Sequence, residues 1–132
     1  MDFKSFSQNF ADKIDCKYND YDDSHSIFVI PIKNDRFQTV IARVVKLEKY
    51  NYDVVQITSK VCETTESIDY PSILEASAEF ALANFIVEGG FLKVDASILL
   101  NEANVELLGD SIVELANLAD EWEFKITGKD IY

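Results

Sequence analysis

The chain has 132 residues, room for one domain (1–132) with a core of its own. Hydrophobic residues make up 48% of it, nine Phe and six Tyr among them, which is a globular composition and not that of a disordered tail. Twenty-four Asp and Glu against twelve Lys and Arg leave a formal net charge of -12, a field that repels nucleic acid and an anionic membrane surface and favours a basic protein or peptide as partner.

The first element is a helix over residues 2–15. Phe3, Phe6, Phe10 and Ile14 recur at helical spacing with Ala11 beside them, while Asp12 and Lys13 face away. Residues 17–26 (KYNDYDDSHS) are polar and rich in turn formers, and read as a loop. Three strands follow. Residues 27–32 (IFVIPI) are β-branched and aromatic, and Pro31, which lacks a ladder donor, marks an edge strand or a strand end. After a turn at Asn34-Asp35, residues 37–47 set Phe37, Thr39, Ile41, Arg43, Val45 and Leu47 on one face and Gln38, Val40, Ala42, Val44 and Lys46 on the other. Both faces are partly apolar, which predicts a central strand packed on both sides. A turn over residues 48–53 carries Tyr50 and Tyr52, and residues 54–62 alternate again, giving an antiparallel meander.

Pro71 suits the first turn of a second helix, and Ser72 with Glu75 has capping-box spacing; the two signals place its start one or two residues apart. Its apolar face is Ile73, Leu74, Ala78, Ala81, Leu82 and Phe85, with small residues that permit close packing. Glu88-Gly89-Gly90 is a turn between a short strand at Ile86-Val87 and a strand from Phe91 toward Leu100, in which Lys93, Asp95 and Ser97 form a wet face. A last helix opens at residues 101–104 and runs to about Phe124, with Val105, Leu108, Ile112, Leu115, Ala119 and Trp122 as its stripe. Gly109 weakens it by roughly 1 kcal/mol relative to alanine. Gly128 lies past its end, and the last residues are expected to fray. Strands run together instead of alternating with helices, so the fold class is α+β: an antiparallel sheet of a three-stranded meander plus one or two further strands, with three helices, in the order α-β-β-β-α-β-β-α.

No catalytic constellation emerges. His25, in Asp22-Asp23-Ser24-His25, is the only histidine and has no second His or paired Cys to complete a zinc pattern. EF-hand spacing is absent, no orienting group or oxyanion loop accompanies Cys16 and His25, and Gly89-Gly90 is too short to cradle a phosphate. Scattered carboxylates leave acid/base chemistry around His25 as a third hypothesis, but the expectation is a non-enzyme without cofactor or metal. Cys16 and Cys62 lie far apart and outside any CxxC motif, as idle thiols in a reducing compartment would. No apolar signal-peptide core follows Met1, and no stretch nears the ~18 apolar residues of a membrane span, so the protein reads as cytoplasmic. What remains is surface. Phe3, Phe6, Phe10, Ala78, Ala81, Phe85 and Trp122 are the candidates for a protein-binding or dimer surface, each with core packing as its commoner fate.

The element order, the stretch 82–98 (LANFIVEGGFLKVDASI) and the long helix after it resemble the type III secretion chaperone-like fold, most closely its YbjN-like branch. The resemblance implies a small acidic homodimer that binds protein segments and catalyses nothing. The secretion chaperones hold an extended segment along apolar patches, partly by adding a strand to a sheet edge. The expected function is therefore a homodimeric protein-binding module. The alternative is a small-molecule sensor with an aromatic-lined pocket of a few hundred Å³.

Overall fold

The computed structural model describes residues 2–22, 25–33 and 35–128. Helix α1 (Phe3–Ile14) starts where the Asp2 carboxylate accepts from the Lys4 amide and the Ser5 hydroxyl, and stops at Asp15 in the left-handed region. Strands β1 (Lys17–Asp22), β2 (His25–Pro31), β3 (Phe37–Leu47) and β4 (Tyr52–Glu63) form an antiparallel meander. Helix α2 (Tyr70–Ala76) and a short 3-10 turn (Ser77–Glu79) lead to the hairpin β5 (Asn84–Glu88) and β6 (Phe91–Leu99), and helix α3 (Val105–Thr127) closes the order. The sheet has six strands in the order β1-β2-β3-β4-β6-β5, all neighbours antiparallel. The expected α+β class and its three helices are observed.

Four readings of the sequence need correction. Residues 17–22 are a strand and not a loop, although Asp23 and Ser24 lie outside the described residues. Tyr18 turns inward and its ring stacks on Phe28 at 5.5 Å, so a hydrogen-bonded neighbour and one buried aromatic outweigh a turn-rich composition. With β1 outside it, β2 is not an edge, and Pro31 marks its end.

The central strand β3 is packed on one side only. Gln38, Val40 and Ala42 are fully buried under the helices, while Phe37 and Ile41 on the other face stay 52% and 38% exposed. Gln38 tolerates the core because its amide donates to the Ser59 hydroxyl and the Lys60 carbonyl.

The second helix stops at Ala76. The Glu114 carboxylate of α3 accepts from the amides of Ala81 (3.1 Å) and Leu82 (3.0 Å), and Phe80 is extended, so Ala81, Leu82 and Phe85 never join a helix. Asp69 caps α2 and Pro71 sits in its first turn, which resolves the open boundary. Finally, α3 runs on to Thr127, and left-handed Gly128 caps it; residues 129–132 lie outside the described residues.

The core lies between α1 and α3 on one side and the inner sheet face on the other. Leu108, Ile112, Leu115, Ala116 and Ala119 of α3 are fully buried with Val40, Ala42, Val55, Ile57 and Val94. The aromatic stripe of α1 forms a ladder: Phe3 on Phe6, Phe6 on Phe10, then Phe10 edge-on to Phe28 at 5.5 Å. A buried Ser26–Ser7 hydrogen bond of 2.8 Å fixes α1 along β2. The far end of α3 is held by Arg36, whose guanidinium grips the nearly buried Asp120 carboxylate at 3.0 and 2.8 Å.

Phe28→Ala removes a fully buried ring with two aromatic neighbours, and should cost about 3–5 kcal/mol in urea unfolding. Gly109→Ala tests whether this glycine is a mere weakness. On an open helix face alanine would add about 1 kcal/mol. Here the new Cβ would stand 3.1 Å from Cε1 of Phe10, a ring held between Phe6 and Phe28. The expected outcome is a lower unfolding midpoint; a higher one would show that Phe10 can yield.

Candidate functional site

The two ends of the sheet differ in chemistry. β1 carries Lys17, and its pairing with β2 is broken by an irregularity between Asp20 and Asp22. Charges and bulges are the devices that stop an edge strand from pairing further. β5 has neither. Its sequence NFIVE pairs in unbroken register with β6, and among the described residues no strand lies on its other side. The Gly89-Gly90 turn, with φ of +60° and +82°, is the tight reversal that sets this register. Beside the β5 edge, Tyr70, Ile73, Leu74, Phe85, Val87 and Leu92 line a hollow of about 220 Å³. Leu74 and Val87 at its rim are 58% and 57% exposed, so large apolar surface meets water where backbone hydrogen-bonding groups are also on offer.

A second groove, about 530 Å³, runs between the helices. Phe10, Ile14, Val105 and Val113 supply its apolar lining, with Lys13 on the α1 rim and Glu106 and Asp110 on the α3 rim.

Among the described residues, no helix covers the outer sheet face. A polar belt, the Arg43 guanidinium bonded to the Gln56 amide oxygen at 2.9 and 2.6 Å, crosses its middle. On the side of the belt toward the β3–β4 turn, Leu47, Tyr50, Tyr52 and Leu99 are exposed, and the two tyrosine rings stack at 6.5 Å. On the other side, Glu88 bonds Lys93 at 3.0 Å, and that bond holds the Glu88 carboxyl below its usual range. Burial, followed by repulsion from Glu88, pushes the neighbouring Asp95 up.

The residues singled out from sequence separate cleanly. Phe3, Phe6, Phe10 and Phe85 are core, each 6% exposed or less. Two of them still show an edge at a surface hollow, Phe10 at the interhelical groove and Phe85 beside β5. Trp122 is partly buried, crosses the Phe85 ring at 5.4 Å and lines a third hollow with Ile68, Ile73 and Ile126. Ala78 and Ala81 are exposed, but on a turn and a loop and not on a continuous helix face. His25 stands in β2 opposite Arg43, and Asp22 pairs with it across the β1–β2 ladder. Cys16 and Cys62 are free thiols; burial, and for Cys62 also the charge of Glu123, push their pKa up. Among the described residues, no group of three or more His, Cys, Asp or Glu side chains is placed to hold a metal ion, and no helix is long and apolar enough to cross a membrane. The short strand at Ile86-Val87 was expected and is β5, but its start at Asn84 and the hollow beside it were missed because Leu74 and Phe85 were assigned to one helix.

No family model and no curated protein matches the chain. Among solved structures, a chain in the structure of the HopA1-SchA chaperone-effector complex is 12% identical, with a TM-score of 0.59 over 92% of this chain and 92% of that one. At this identity the likeness is one of fold, and it agrees with the α+β element order read from the sequence.

Proposed function

We propose that the protein is a non-catalytic, chaperone-like module that holds an extended segment of a client protein along β5. The observation that carries this reading is the undefended β5 edge next to an apolar hollow. An extended chain can continue the sheet there with main-chain hydrogen bonds, and every second side chain would reach the Leu74–Val87 hollow. The similar solved structure is that of a chaperone-effector complex, which supports a protein client. The net charge of -12 supports a basic one.

The proposal includes a homodimer in the cytoplasm. The exposed Leu47, Tyr50, Tyr52 and Leu99 by the β3–β4 turn of the outer face favour self-association there, away from β5. It also includes the YbjN-like branch, since the stretch 82–98 that carries this resemblance forms the β5–β6 hairpin.

Panning a displayed library of random twelve-residue peptides against the protein tests the reading. It should enrich sequences with apolar residues at alternate positions. Val87→Lys places a charge on an already exposed edge residue. It should weaken the selected peptides about tenfold or more, a loss of about 1.4 kcal/mol, while light scattering still gives twice the mass of one chain. Peptides that bind the variant and the parent equally, or no enrichment at all, would refute strand addition at β5.

A further inference from the structure

The groove of about 530 Å³ at the Phe10–Gly109 contact is walled by α1 and α3 alone. Val105, Gly109 and Val113 are spaced four apart on α3 and so share one helical face. The two valines are 55% and 38% exposed, and Gly109 leaves a dent between them with the Phe10 ring behind it. Ile14 of α1, partly buried, completes the apolar lining. From Val105 to Val113 this face runs roughly 12 Å, a little over two helical turns.

The two rims differ in charge. Glu106 and Asp110, one turn apart, stand on the α3 side, and Lys13 stands on the α1 side. Among the described residues, no ion pair and no side-chain hydrogen bond engages the Glu106 or the Asp110 carboxylate. Both are exposed, so the acidic rim is presented to whatever lies in the groove.

The walls also select the shape of an occupant. Backbone amides and carbonyls along α1 and α3 are used inside those helices, so an extended segment would find no ladder here. A helix satisfies its own backbone and brings only side chains to the contact. A second copy is disfavoured, since it would set the acidic rim against a chain of the same -12 charge.

We propose that this groove binds an amphipathic helix of a basic partner protein. Its apolar stripe would lie over Gly109 between Val105 and Val113, and its basic flank would meet Glu106 and Asp110. Lys13 on the opposite rim favours an acid on the other flank, which sets the direction in which the helix lies. The groove is on the helical side of the domain, and the proposal stands or falls apart from strand addition at β5.

The probes are two synthetic helical peptides with the same leucine stripe, one flanked by lysines and the other by glutamates. Each is titrated into the isotope-labelled protein and followed by amide chemical shifts. With the lysine peptide, shifts should saturate and cluster at Asn9, Lys13, Ile14, Val105 and Val113. The glutamate peptide should bind at least about tenfold more weakly, and Asp110→Lys should weaken the lysine peptide by a similar factor. Asp110 is exposed, so its variant should keep the parent's unfolding midpoint. Glu66→Lys, an equal change of net charge at an exposed residue in the loop before α2, should leave the affinity within about twofold. The proposal is overturned by shifts that never saturate, by shifts centred on β5 instead of the groove, by equal binding of the two peptides, or by equal losses in Asp110→Lys and Glu66→Lys. It is also overturned if shifts at the groove follow protein dilution instead of peptide, which would mean that a second copy fills it.

Discussion

The structure depends on one asymmetry: α1 and α3 cover a six-stranded sheet from one side. The seam that enforces it runs along α3, where Leu108, Ile112, Leu115 and Ala119 meet the inward residues of β3, β4 and β6. Alanines on both partners, Ala42 and Ala96 in the sheet and Ala116 and Ala119 in the helix, let the two surfaces approach closely. The Phe ladder of α1 extends the seam to β1 and β2, and Gly109 makes room for Phe10 where the two helices meet. Because α1 and α3 both pack on the inner face, the outer face and the β5 edge are left to other uses among the described residues.

Function, on the account proposed here, follows from what that asymmetry leaves bare. One sheet end pairs irregularly, and the other pairs in unbroken register with an apolar hollow beside it. The Glu114 carboxylate matters to this contrast. By taking the Ala81 and Leu82 amides it ends the helical run early, so residues 84–88 become a strand at the sheet border and not a helical cover over it. The outer face is itself divided by the Arg43–Gln56 belt into a tyrosine-rich end and an end that carries the Glu88–Lys93 pair. On this account, client binding and self-association would use separate surfaces of one small domain.

Much of this was legible in the sequence. The stripe of α1, the eleven residues of β3 and the stripe of α3 follow directly from periods of 3.6 and 2. The misses have local causes. KYNDYD has the composition of a loop, and only pairing with β2 and the stacking of Tyr18 on Phe28 make it a strand. The alanine-rich stretch after Pro71 has helical periodicity, but its fate is decided by Glu114, more than thirty residues away. Two apolar faces on β3 suggested two covering layers, yet chain pattern cannot reveal that no helix remains to cover Phe37 and Ile41. The candidate surface residues were mostly core for the same reason: an aromatic stripe reports amphipathicity and not which side stays open.

The most direct test of the account is residue-resolved amide hydrogen exchange on the free protein. With β5 as an open edge, its amides that point away from β6 should exchange as fast as loop amides, while those of β3 and β4 are strongly protected. If all of β5 is as protected as β4 in dilute solution, the edge is already covered and the central claim fails.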